Sequence, residues 1–218
     1  MRCSSSFENE ARKLGYLAVA GVDEAGRGAL FGSVVAAAVI LDPNRPIRGL
    51  NDSKQLTAET RQELAAQIKE RSVAWATGAA DAAEIDRINI YQASRLAMKR
   101  AIEALPVKPD YLLVDAMRID LDLAQESLIK GDARSRAIAA ASIIAKVHRD
   151  DCMQQWDAVY PQYGLARHKG YGAPEHLRAL EANGPTPLHR FSYAPVSRFL
   201  PSSFHQQSLS FEGAALTA

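Results

Sequence analysis

The sequence has only two cysteines in 218 residues, Cys3 and Cys152. Their separation gives no metal-ligand pair and, with no secretory signal ahead of them, no structural disulfide. Both are expected to be reduced. Long apolar runs are also missing. The longest, Val34 to Leu41, is far too short to cross a bilayer, and Met1 to Glu10 contains no apolar targeting core. A cytoplasmic protein without membrane contact is expected. No Gly-Lys-Ser/Thr follows the glycine cluster at 26–32, which excludes a Walker-type loop there. A dinucleotide fingerprint is excluded too. Gly26, Gly28 and Gly32 miss its spacing, and residues 33–41 read as a strand where that fold needs a helix. No internal repeats occur.

An excess of one charge is absent as well, since the net charge is only +1. Residues 1–128 carry 16 Lys/Arg against 18 Asp/Glu, whereas 129–200 carry 10 against 6. A local basic patch is sufficient to meet phosphate, although a solvated charged face gives the same count. What is present, 47% hydrophobic and 23% charged residues, is ordinary for a globular enzyme of one domain. The expected divisions are an N-terminal arm over 1–15, one domain over 16–200, and a disordered Ser-, Gln- and Ala-rich tail over 201–218.

The chain is organised around Gly21 to Gly32, G-V-D-E-A-G-R-G-A-L-F-G. The apolar run 16–22 has the length and composition of a buried strand, and it delivers Asp23 and Glu24 to the end of a sheet. The glycines that follow allow unusual dihedrals and close approach to backbone amides. Paired acids beside such donors suggest metal and phosphate together, while ordinary turn residues remain the plain alternative.

Downstream, 34–41 is expected to be a strand covered on both faces, 57–71 a helix capped by Thr57, and 73–79 a third strand. Helical stretches are expected from Asp81 and over 90–105, the latter ended by Pro106. Residues 111–115 repeat the first pattern, an apolar strand finishing on a carboxylate. The helix before it permits a right-handed crossover, so the two strands can lie parallel with Asp23 and Asp115 as neighbours. A short strand near 125–130 and an Ala-rich helix over 134–149 follow, then a short helix near 174–182. Asp132 lies just ahead of the Ala-rich helix and is equally suited to cap it.

Six segments, G-V-D-E-A-G-R-G at 21–28, L-N-D-S-K at 50–54, V-D-A at 114–116, K-G-D at 130–132, A-A-S-I-I-A-K-V-H-R-D at 140–150 and H-K-G-Y-G at 168–172, together resemble bacterial ribonuclease HII in order and spacing. The resemblance covers nearly all of residues 16–199. It implies an α/β ribonuclease H-like fold, a mixed five-stranded sheet flanked by helices, with a small C-terminal helical region. It also implies an endonuclease that cuts the RNA strand of RNA–DNA hybrids and cuts 5′ to single ribonucleotides embedded in duplex DNA. The catalytic and metal carboxylates carried over are Asp23, Glu24, Asp115 and Asp132. The loop Gly26, Arg27, Gly28 would read the ribose 2′-hydroxyl, largely through its backbone, and Tyr171 would stack on the sugar at the RNA–DNA junction. The sequence departs from the family's pattern at Ala29, Phe31 and Ser33 and at Arg190 to Tyr193.

Four carboxylates in one pocket repel unless cations neutralise them. An all-oxygen set suits Mg²⁺ or Mn²⁺, with two ions expected. Lys54, Lys146 and Lys169 are candidate phosphate contacts, and each is also compatible with a plain surface role. His148 and His168 are expected to make polar contacts, whereas His176, His189 and His205 carry no signal. A monomer is expected. The alternatives are a related metal nuclease with another substrate, a metal-dependent phosphatase, and a non-catalytic hybrid-binding module; four acids where phosphate must sit argue against a mere binder.

Overall fold

The computed structural model describes residues 3–199; the tail expected over 201–218 and His205 lie outside the described residues. Five strands, β1 (Val19–Ala25), β2 (Val34–Ile40), β3 (Ala74–Ala80), β4 (Tyr111–Asp115) and β5 (Ala124–Leu128), form one sheet in the order β3-β2-β1-β4-β5. β1 pairs antiparallel with β2 and parallel with β4, so the sheet is mixed. This is the expected ribonuclease H-like arrangement. β2 is buried at every position, which accounts for its lack of alternation.

Small residues set the distance between sheet and helices. Helix α4 (Arg136–Val159) lies against β1 and β2. A Cβ added at Gly21 would stand 2.0 Å from the Ala137 carbonyl carbon, so the close approach depends on that glycine. The buried Ile138, Ile143 and Ile144 of α4 each contribute about 1.5–3 kcal/mol by leaving water. On the opposite face, α3 (Ala82–Glu103) packs on β2 and β3. It starts at an Asp81/Glu84 capping box and is broken at Asn89 (φ 65°), so the two helical stretches expected from sequence appear as one kinked element.

Helix α2 (Ala58–Arg71) begins at Thr57, whose side chain accepts from the Thr60 amide. Helix α1 (Ser6–Lys13) makes the N-terminal arm helical. Its Glu8 is buried and accepts from the Ser135 hydroxyl and the Ala137 amide, both at 2.7 Å. α4 runs ten residues beyond the expected end at 149, because nothing in 150–159 breaks a helix and Pro161 comes only after it. The C-terminal region, with α5 (Leu165–His168), α6 (Pro174–Asn183) and α7 (Ala194–Ser197), builds a separate small core around Phe31, Tyr163, Leu180 and Val196. Among the described residues no helix is long and apolar enough to cross a membrane.

Candidate active site at the ends of the central strands

The register Val22↔Val114 makes Asp23 and Asp115 the next residues of two parallel, hydrogen-bonded strands. Parallel neighbours in register share a face, so both carboxylates leave the sheet toward α4. Asp132 sits in a 3₁₀ turn, Gly131–Ala133, just ahead of α4. It does not cap α4; Ser135 does, accepting from the Ile138 amide. The Gly131 amide donates to Asp115 Oδ1 at 2.7 Å, which ties the Asp132 turn to the end of β4. Glu24 is the fourth acid, with Oε1 3.3 Å from the Arg27 guanidinium.

The four acids are held near one another without enough counter-charge. Burial pushes Asp23 well above the usual carboxylate range, reinforced by Glu24 and Asp115 and offset only in part by the Glu24 amide and the Ser142 hydroxyl. Glu24 is raised by burial and by Asp115 against the pull of Arg27. Asp115 and Asp132 are raised by burial first, and Asp52 adds to both. Burial alone would lower Lys54, yet Asp132, Asp52, Asp23 and Asp115 together hold it above its ordinary value.

These residues fit a hard divalent cation. Every donor is an oxygen, the shared cost is negative charge out of water, and Glu24 Oε2 is buried with no hydrogen-bond partner. Among the described residues no three acids, histidines or cysteines yet converge at ligand distance. Each is turned to a neighbour instead: Asp23 to the Glu24 amide (2.7 Å), Asp115 to Gly131, Glu24 to Arg27, and Asp132 to Lys54 at 3.8 Å.

An open cleft of about 710 Å³ adjoins the acids and is lined by Glu24, Asp115, the 26–28 loop, Lys54, Lys146 and Tyr171. The candidate lysines separate here. Lys54 is 81% exposed over the acids, Lys146 is paired with Asp150 at 2.6 Å, and the Lys169 ammonium donates to the Ala166 carbonyl at 2.7 Å, away from the cleft lining. Tyr171 is 37% exposed, and the Arg149 guanidinium lies 5.4 Å from its ring centre.

The glycine loop is secured from below. Gly26 has φ +93°, and a Cβ there would stand 1.9 Å from Arg149 Nε, so glycine is required twice over. Arg149, 1% exposed, donates to the carbonyls of Phe31, Ser33 and Lys169. Residues 29 and 31 bridge Tyr171 and His189, which stitches the loop between two C-terminal segments. Sequence reasoning missed the roles of Arg149, Arg190 and Tyr193. The signal for Arg149 was available: it falls at helical spacing after the apolar Ile138, Ala141 and Ala145, on a face where a charge needs partners. His176 and His189 are also fully buried. Thr186 N–H donates to His189 Nδ1, so His189 Nε2 carries the proton offered to His176 Nε2 (3.2 Å), and His176 Nδ1 donates to the Tyr171 carbonyl.

The family model for ribonuclease HII matches residues 20–196. A ribonuclease HII of Solibacter usitatus is 62% identical over 201 residues, 91% of this chain and 88% of that protein. Among solved structures, the ribonuclease H2 of Pyrococcus horikoshii OT3 superposes with a TM-score of 0.71 at 26% identity, covering 84% of this chain and 97% of the other. Bst-RNase HIII in complex with Mn²⁺ superposes with a TM-score of 0.63 at 26% identity, covering 87% and 71%.

Proposed function

Because the chain belongs to the ribonuclease HII family and is a ribonuclease H enzyme, we propose that it cuts the RNA strand of RNA–DNA hybrids and cuts 5′ to single ribonucleotides in duplex DNA. Hydrolysis leaves a 3′-hydroxyl and a 5′-phosphate. The observation that carries this reading is the meeting of buried Asp23 and half-buried Asp115 at adjacent parallel strand ends, beside a loop that exposes Arg27 and Gly28 to the cleft.

Asp23 and Asp115 hold the central position, Glu24 completes the shell through its unpartnered Oε2, and Asp132 serves a second ion. This oxygen set would hold Mn²⁺ or Mg²⁺, which would supply Lewis-acid polarisation of the scissile phosphate. That Bst-RNase HIII takes Mn²⁺ supports the choice of ion. Lys54, facing the acids from a mostly exposed position, neutralises phosphate beside the scissile bond. The Gly26–Gly28 loop meets the ribose and Tyr171 stacks on the neighbouring sugar.

The test is a gel assay on a duplex with one ribonucleotide and on an all-RNA strand paired with DNA, each with and without chelator. Cleavage of both at the expected positions, abolished by chelator, is the predicted result. Tight hybrid binding with no cleavage at any divalent-ion concentration would mark a binding module instead.

A further inference from the structure

The carbonyl of Arg27, the middle residue of the glycine loop, is held from inside the protein by two donors. Arg190 Nη1 reaches it at 2.7 Å, and the Tyr193 hydroxyl donates to the same oxygen. Arg190 is completely buried, and its Nε bonds the Gly32 carbonyl at 2.9 Å while its backbone amide bonds Leu30. One side chain therefore ties the middle of the loop to Gly32, just ahead of β2. The turn carrying it is itself anchored, since Asp86 on α3 accepts from the amides of Phe191 and Ser192. Burial lowers the Arg190 guanidinium to about 10, and its Nη2 has no acceptor. This costly burial is borne by a group whose side-chain contacts go to the loop and to Tyr193.

A trans peptide directs its C=O and the following N–H in opposite senses, and no cis bond occurs among the described residues. With the Arg27 carbonyl drawn inward, the Gly28 N–H points out to the cleft. Gly28 is exposed and its backbone is not in the left-handed region; the nearest atom to an added Cβ is Tyr171 Cε1 at 4.0 Å. The fold itself does not demand glycine at 28. The position leaves free an outward amide and room beside Tyr171.

We propose that Arg190 and Tyr193 are positioning residues for ribose selectivity: by pinning the Arg27 carbonyl they aim the Gly28 amide at the 2′-hydroxyl. This rests on the reading that the loop meets the ribose.

The experiment uses the full chain with Mn²⁺. Ribose preference is the inhibition constant of an unlabelled all-DNA duplex divided by KM for the same duplex with one ribonucleotide. Tyr193→Phe, which removes only the hydroxyl donor, is expected to lower that ratio about three- to tenfold, the range for one lost hydrogen bond. The loss should appear in KM, with the DNA inhibition constant unchanged. Arg190→Lys should lower the ratio further, and if it melts early Tyr193→Phe alone decides. Gly28→Ala separates the two ideas. If it loses ribose preference while Tyr193→Phe and a folded Arg190→Lys keep it, the positioning role is overturned and the loop reading stands. If Gly28→Ala also keeps it, the loop reading falls and the positioning role with it.

Discussion

The acidic strand ends and the glycine loop both bury charge, and they settle it in opposite ways. Around Asp23 the neighbours are other acids, every one of the four is raised, and Glu24 Oε2 is left bare. Around Arg149 and Arg190 the neighbours are backbone carbonyls, five of them between the two guanidinium groups. The first arrangement leaves negative charge for a cation to neutralise; the second, apart from Arg190 Nη2, is satisfied by the protein's own carbonyls. A site that must recruit ions is left electrostatically open, whereas one that must discriminate a single hydroxyl has its backbone fixed in advance.

The contrast is broken most severely at the acidic end. Asp23→Asn neutralises the most buried of the four acids, and kcat is expected to fall on the order of 10³-fold, about 4 kcal/mol, with the fold retained by circular dichroism. Full hydrolysis by that variant would defeat the assignment. Gly26→Ala attacks the rigid half. An extra Cβ at φ +93° against Arg149 should cost about 1–3 kcal/mol from overpacking alone, read as a lower melting temperature together with lost cleavage. An unchanged melting curve would show that Arg149 is free to move.

Tyr171→Ala should weaken binding of a ribonucleotide-containing duplex by about 1–3 kcal/mol, the usual range for stacking, and leave metal affinity untouched. Acid sharpens the comparison from the C-terminal side. Burial holds His189 down at about 4, so the unfolded chain, titrating near 6.5, takes up protons that the folded chain refuses. The stability this histidine contributes is present above about 6.5 and is lost as pH falls toward 4. Melting temperature should decline across that window in the wild type and less steeply in His189→Asn. The smallest effect belongs to Lys54→Ala: an ammonium 81% exposed is worth under about 1 kcal/mol, read as slightly weaker hybrid binding with a shallower salt dependence.

Much of this was legible in the sequence. The apolar runs ending at Asp23 and Asp115 point to two parallel strands with their C-terminal ends side by side, because a strand, a helix and a second strand leave few ways to pack. The alternation-free 34–41 segment read correctly as a doubly covered strand. Less visible was anything that depends on contacts distant in sequence. Glu8 is 127 residues from the Ser135 hydroxyl that donates to it, and Arg190 is 163 from the carbonyl it holds; neither spacing has a local signature. Asp132, by its place ahead of α4, suits a cap as well as a ligand, and the structure gives the cap to Ser135. Lys169 belongs to a matched motif, yet its left-handed backbone (φ 53°) and its bond to Ala166 turn the side chain aside.

The central claim is that distant acids gather at the strand ends to hold divalent ions. Anomalous diffraction at the manganese edge, from crystals soaked in Mn²⁺, tests it most directly. The account predicts density between Asp23 and Asp115, within coordination distance of both and of Glu24 Oε2. Manganese bound elsewhere, with that position empty at saturating concentration, would contradict it.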